Sequence, residues 1–512
     1  MQSKQISKPQ AIHGKKKFLF LSHDSNGIKE QIAQQTPIPE VQLDYWRESL
    51  QYRIDFCRKH ADAAYYLFIA PNKHCVYREL LPDDYVVSNK RIACELQKMS
   101  ENVFYPIGVL RKQKEKKLQY YRTDSHWNTV GCANAWNTFS RIAELNYTID
   151  TSKTKPITLC GDLGVKLVPQ VESRSPHIEH MPTANLVWTN FLHNRGHISI
   201  FKNFHPDAAK RKRALLFGDS FSAMHIQYIA DYFSELYFLH TPGFGEDVIR
   251  SIRPDIVITA NVERYMAFPG QTYENMLNTQ FVSFFDLLKY SRAALKKFVD
   301  VPPFEPYFGD VIRHMQQISR KCLDLYQNEQ QLSQARMAMS GDNEQLVEAW
   351  LSDGTSELPV AHIHHAVSRH YETKNNFKMA YRSIQHAIRC SPDTATYWYE
   401  RGRILQKQRK SRRAARSINR AIELDKYNCH YWTQLGNIYL FMRKPENSLS
   451  CFKQAVSLNP TLELVQHQIS GVYMRMGQYK EAVHHSTIAC ELNPNNPEFR
   501  IRLNDAIARE SK

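Results

Sequence analysis

The chain has 512 residues, 42% of them hydrophobic and 23% charged, proportions ordinary for a soluble globular protein and sufficient to bury large cores. At roughly 100–200 residues per domain, this length holds more than one domain. A formal net charge of +16 points to an acidic partner, whether an anionic glycan, a nucleic acid or an anionic membrane surface, without choosing among them.

The chain opens on polar residues. Lys15-Lys16-Lys17 is followed by only four apolar residues, Phe18-Leu19-Phe20-Leu21, before Ser22. A secretory signal needs about 7–15 apolar residues and a membrane span about 18 or more. Neither run occurs, so the expectation is a protein without signal peptide or transmembrane segment, cytoplasmic by default and reaching an envelope only through a partner. Ten cysteines show no Cys-x-x-Cys pair and no metal-ligand spacing, so no metal or cofactor is called for.

Short apolar runs without clear alternation predict strands buried on both faces at Lys17–Leu21, Ala64–Ala70, Ala214–Phe217, Glu235–Leu239 and Asp255–Thr259. Helical patterns at Leu43–His60 and Phe221–Phe233 lie between them, and strand–helix alternation argues for a mainly parallel sheet covered by helices. Residues 193–204 read as a small hairpin about Arg195-Gly196.

Two segments carry chemistry. In Arg213-Ala-Leu-Leu-Phe-Gly-Asp-Ser220 an apolar strand ends at Gly218 and a helix starts just after Ser220. Such a turn leaves free N–H groups beside a hydroxyl that can attack an acyl carbon. The plainer reading is a helix cap made by Asp219 or Ser220. A serine nucleophile needs a base and an orienting carboxylate. Upstream, Asp124 and His126 of Thr123-Asp124-Ser125-His126-Trp127 point the same way in an extended or turn conformation, with bulky Trp127 beside the ring. By itself an Asp-x-His is common, and its plainer reading is a hydrogen-bonded core histidine.

In chain order the notable segments are Lys17–Leu21, Phe68-Ile69-Ala70-Pro71-Asn72-Lys73, Val76–Pro82, Arg122–Asn128, Cys160-Gly161-Asp162-Leu163-Gly164, Leu216–Ser222 and Val262-Glu263-Arg264-Tyr265. The ordered set, covering about residues 15–275, resembles the alginate O-acetyltransferase family, whose members have an SGNH-hydrolase-like domain. The resemblance implies a flavodoxin-like, mainly parallel α/β fold and a triad of Ser220 as nucleophile, His126 as base and Asp124 as orienter. Arg264, in a matching Glu-Arg position, is then a substrate-contact candidate, with a surface or salt-bridge role as the equal alternative; Trp127 is a further candidate, and Asn72 and Lys73 match without an assigned role. The family acetylates hydroxyls of exported polysaccharide. Expected partners are therefore a glycan acceptor and a membrane acyltransferase system as acetyl source, rather than a nucleic acid. The same triad also serves a carbohydrate esterase, and a third reading is a glycan-binding scaffold without activity.

Residues 276–300 read as helix, broken by Val301-Pro302-Pro303, and 301–360 as a helical bridging region. Beyond it the chain repeats itself. Ala387, Ala421, Ala455 and Ala489 stand 34 residues apart, as do Ala380, Ala414, Ser448 and Ala482. Trp398 and Gly402 recur as Trp432 and Gly436, and Pro392, Pro460 and Pro494 close helices. Small residues let paired helices approach while aromatics fill the gaps. The pattern resembles the tetratricopeptide repeat, an all-α solenoid that docks partner proteins. The units are set at 361–394, 395–428, 429–462 and 463–496, with 497–512 as a capping helix. Nine Arg or Lys and no Asp or Glu lie between 401 and 420, a solvated outer face in the plainer reading and a site for an acidic partner in the other. The domain plan is thus an SGNH-hydrolase-like domain over 15–300, the bridge over 301–360, the repeats and the cap.

Overall fold

A computed structural model describes residues 11–22, 28–34, 38–190, 197–241, 243–267 and 371–511, the last range apart from 373, 391, 460–461 and 494–495. A few isolated positions between 296 and 369 are also described. The expected helix at 276–300, the bridge at 301–360 and the opening of the first repeat therefore lie almost wholly outside the described residues. The chain divides into two units, residues 1–267 with 271–325, and 268–270 with 326–512.

The strands of the first unit are β1 Ala11–His13, β2 Leu19–Leu21, β3 Ala64–Ala70, β4 Val103–Phe104, β5 Thr154–Leu159 and β6 Ser173–Ile178, followed by β7 Ala184–Thr189, β8 Ile198–Asn203, β9 Arg213–Gly218, β10 Glu235–His240 and β11 Ile256–Val262. Seven of them form one mixed sheet in the order β4-β3-β11-β9-β10-β8-β7. The five from β4 to β10 run parallel to their neighbours, and β8 and β7 add antiparallel edges. Four of the five expected strands are in it.

The fifth is a correction. Lys17 lies in a short 3-10 turn, and Leu19–Leu21 pairs antiparallel with Ala11–His13 outside the main sheet. Its free edge docks instead on a loop, Leu19 N–H donating to Arg122 O at 2.9 Å. The hairpin expected at 193–204 is β7 with β8, so its first arm lies further upstream; residues 191–196 are outside the described residues.

Helices cover both faces, as period-two side chains require. On one face Phe68 stacks on Trp136 of the helix Thr129–Ile142 with ring centroids 4.9 Å apart. On the other, Arg53 of the helix Glu40–Ala61 donates to Tyr65 Oη at 2.9 Å, and Tyr65 meets Phe244 edge to face. Each such apolar side chain contributes about 1.5–3 kcal/mol when fully buried. The helix expected at Phe221–Phe233 is broken into Ser220–Ala223 and Ile226–Ala230. His225 leaves helical geometry (φ −124°, ψ 23°), and its Nε2–H donates to Trp127 O at 3.0 Å.

In the second unit, helices start at Phe377, Ala395, Ser411, Cys429, Pro445, Glu463, Tyr479 and Pro497. Alternate starts are 34 residues apart throughout. The terminal helix Pro497–Glu510 keeps this register, so it sits where the first helix of a further repeat would. The alanines of both registers and Ser448 are fully buried. An added Cβ at Gly436 would lie 2.6 Å from the Phe452 ring, so the missing side chain is what lets the paired helices close. Trp398 Nε1 donates to Pro392 O and Trp432 Nε1 to Lys426 O, at 2.6 and 2.8 Å, the same bond one repeat on.

Candidate active site

Parallel sheets place functional groups at the carboxyl ends of their strands. Here β3 leads into Asn72-Lys73, β9 into Asp219-Ser220 and β11 into Glu263-Arg264, on three neighbouring strands. A fourth segment comes from outside the sheet. Residues 119–128 double back on themselves: Asn128 N–H donates to Gln119 O at 3.0 Å and Tyr121 N–H to His126 O at 3.4 Å, leaving Asp124 and Ser125 at the tip.

That loop meets the end of β9. His126 Nε2 lies 2.8 Å from Ser220 Oγ, and its Nδ1 lies 2.6 Å from Asp124 Oδ1. An ionised carboxylate only accepts, so the ring proton sits on Nδ1 and Nε2 is left to accept from the serine hydroxyl. Asp124 Oδ1 also takes the His126 N–H at 2.9 Å, and Oδ2 the Asp162 N–H at 2.9 Å. Burial opposes ionisation of Asp124. The hydrogen bond from the His126 ring, together with the two backbone donors, nevertheless holds its carboxyl well below the usual carboxylate range. The three side chains named from the sequence thus meet at one place, with Asp124 and His126 buried and Ser220 partly exposed.

Asp219 makes the cap. Its Oδ1 accepts from Phe221 N–H at 2.9 Å and its Oδ2 from Val262 N–H at 2.6 Å, tying β9 to β11 and freeing Ser220 from that duty. Trp127 does not face substrate. It is 1% exposed, and its indole N–H donates to Phe221 O at 2.9 Å, so it packs beneath the site; this corrects the substrate-contact expectation. Phe221 in turn lays its ring 4.7 Å from the His126 ring. Arg264 is at the rim, its guanidinium 5.9 Å from the Phe221 ring and donating to Asn72 Oδ1 at 3.3 Å.

Several residues here carried no role in the sequence reading. Asp162 accepts from Ser125 N–H at 2.6 Å and Ser125 Oγ–H at 2.7 Å. Burial and the neighbouring Asp124 charge raise its pKa. Gly161 touches this cluster: a Cβ there would lie 2.6 Å from Thr123 O and 2.7 Å from Asp124 Oδ2. Glu263 joins Asn72 N–H, at 3.1 Å, to the buried guanidinium of Arg91, at 2.6 Å. Gly161, Asp162 and Glu263 sit in segments that carried the resemblance, whereas Arg91 lies outside them all and carried no signal. Among the described residues Asp124, His126 and Asp162 are the one group of cation-ligating atoms, within 4.8 Å of one another. Their oxygens already accept the N–H and O–H donors above, so hydrogen bonding accounts for the cluster.

Among the described residues no helix is long and apolar enough to cross a membrane. The tetratricopeptide-repeat family profile matches residues 395–428 and 430–462. No curated protein matches the chain in sequence. Among solved structures, MamA from Desulfovibrio magneticus RS-1 is 17% identical, covering 34% of this chain and 96% of that one, with a TM-score of 0.30. YrrB, described as a TPR protein with an unusual peptide-binding site, is 17% identical over 32% of this chain and 85% of its own, TM-score 0.29. The first TPR of Spaghetti (RPAP3), bound to an HSP90 peptide, is 23% identical over 23% of this chain and 94% of its own, TM-score 0.23. The profile match and the unbroken 34-residue spacing of helix starts make the C-terminal region of this chain a tetratricopeptide-repeat array.

Proposed function

We propose that the N-terminal unit is an SGNH-hydrolase-like acyl-transfer domain that places acetyl groups on hydroxyls of a polysaccharide or other glycan, and that the repeats dock a protein partner. The observation that carries this reading is the 2.8 Å contact of His126 Nε2 with Ser220 Oγ, with Asp124 behind the ring. Residues 94 positions apart make that contact, which a helix cap alone does not require.

In this reading Ser220 Oγ attacks the carbonyl carbon of an acetyl ester or thioester while its proton passes to His126 Nε2. The tetrahedral oxyanion is met by the Ser220 N–H, which has no acceptor among the described residues. Collapse expels the donor's alkoxide or thiolate, which leaves with the proton from His126, and Ser220 holds the acetyl as an ester. A glycan hydroxyl then gives its proton to His126 as its oxygen attacks that ester, and the serine recovers the proton when it leaves. Asp124 keeps Nδ1 protonated and balances the imidazolium at each step.

The repeats supply charge for a partner. Lys407, Arg409, Lys410, Arg412, Arg413 and Arg416 are exposed, whereas Arg403 and Arg420 already pair with Glu400 and Glu423. Such a cluster favours an acidic protein partner.

The test is release from 4-nitrophenyl acetate with and without an oligosaccharide, compared with Ser220→Ala. Serine-dependent release, faster with the sugar and giving acetylated sugar, is the expected result. Release indifferent to the sugar makes the domain an esterase, and no serine-dependent release overturns the reading in favour of a non-catalytic glycan-binding scaffold.

A further inference from the structure

Lys73 is 2% exposed, and its ammonium donates to four backbone carbonyls: Leu19 O at 2.8 Å, Tyr121 O at 2.6 Å, Arg122 O at 2.9 Å and Asp124 O at 2.9 Å. Three of these belong to the loop that carries Asp124 and His126; the fourth belongs to β2, which docks on the same loop through Leu19 N–H and Arg122 O. Phe18 and Phe20 flank the ammonium at 5.2 and 5.3 Å from their ring centroids. Burying a cation costs several kcal/mol, and an apolar side chain of similar length fills the same volume at no such cost. Apolar packing therefore does not account for a lysine here. Four carbonyls converging on one point do, because without the cation they would be buried with their negative ends facing one another.

We propose that Lys73 is a positioning residue of this site: its buried ammonium gathers the carbonyls of residues 121, 122 and 124 and so sets the angle at which Asp124 and His126 face Ser220. This rests on the acyl-transfer reading only for its consequence in rate; the geometry it assigns stands apart from that reading. Asp124 is thus gripped at both ends, its carboxylate by His126 and Asp162 and its carbonyl by Lys73. Burial pulls the lysine down to about 7, while the charges of Asp124 and Asp162 hold it up, so the carboxylates that the ammonium helps to place also favour its charged form.

The experiment is Lys73→Met in the full chain, with two readouts. In the first, kcat for 4-nitrophenyl acetate and the rate of Ser220 labelling by a fluorophosphonate fall about 100-fold with KM within twofold of wild type, since a displacement near 1 Å costs that much. The second is the downfield proton resonance of His126 Nδ1–H against Asp124, which moves or broadens in the variant. If wild-type Ser220 is not labelled at all, the acyl-transfer reading fails and the resonance alone decides the positioning role. An unchanged resonance, or unchanged kcat in a labelled protein, overturns the proposal. Should Lys73→Met not fold, Lys73→Gln, which keeps donors for two of the carbonyls, is read the same way; an unchanged resonance and an unchanged rate in it overturn the proposal.

Discussion

The backbone N–H of Asp162 donates to Oδ2 of Asp124 at 2.9 Å, while the Asp162 carboxylate takes both the N–H and the hydroxyl of Ser125. Two loops 38 residues apart thus hold each other through a reciprocal pair of aspartates. Leu163 and Gly164 N–H groups add bonds to Thr123 O at 3.1 and 2.9 Å, closing the seam. The His126 ring is aimed by this seam as much as by its own carboxylate.

Gly161 is where the seam is tightest. A methyl group there meets Asp124 Oδ2 at 2.7 Å and Thr123 O at 2.6 Å, neither of which has room to retreat. Gly161→Ala is expected to lower kcat for an acetyl ester by about 100-fold through displacement of the Asp124–His126 pair. Activity within threefold of wild type would refute this.

Two buried histidines work against the stability of the N-terminal unit in acid, opposed by the raised carboxyls of Asp162 and Asp219. Burial pushes His74 down to about 3 and His225 down to about 4. Both stay neutral in the folded protein while the unfolded chain binds protons below about 6.5. The unfolded state then carries more protons, so stability falls as pH drops from about 6.5 towards 4, by on the order of 3 kcal/mol for each histidine. The Asp124 contribution is complete above about 4 and does not enter this window. Urea midpoints followed by tryptophan fluorescence should fall less between pH 7 and 5 in His225→Gln than in wild type; an equal change in the two proteins contradicts the assignment.

Arg91 and Glu263 form an ion pair at 2.6 Å with both side chains 3% exposed, and Glu263 also receives Asn72 N–H. Arg91→Met leaves that carboxylate buried without a counter-ion and should cost about 3–5 kcal/mol. Adding Glu263→Gln should restore at least half of the loss, as read from urea unfolding of the full chain. No recovery in the double variant would show that the charge pair is not the cause.

The repeat glycines differ from one another. At Gly402 an added methyl lies 2.7 Å from Ile418 Cγ1 and at Gly436 2.6 Å from the Phe452 ring, both fully buried side chains. Alanine at either position should destabilise by about 1–3 kcal/mol. At Gly471 the obstacle is the guanidinium end of Arg502, which can swing away, so Gly471→Ala should be neutral or stabilising by up to about 1 kcal/mol. Amide hydrogen exchange across Ala395–Leu424, Cys429–Leu458 and Glu463–Leu492 checks the contrast; equal effects at all three would contradict it.

The amino-acid sequence by itself determined what is periodic or local. Steps of 34 residues placed the repeat helices, because each must bury the same small-residue face against the next. Apolar runs placed β3, β9, β10 and β11, because strands covered on both faces have no polar positions to alternate. Motif order brought Asp124, His126 and Ser220 forward together. Tertiary structure decided which edge each strand meets and which buried charge faces which. It paired Leu19–Leu21 with Ala11–His13, broke the helix after Ser220 where His225 bonds Trp127, and sent Trp127 into the core. It also gathered Lys73, Gly161 and Asp162 around one loop. Those contacts span tens of residues and are mostly made to backbone atoms, which every residue type possesses, so side-chain identity alone carries no record of them.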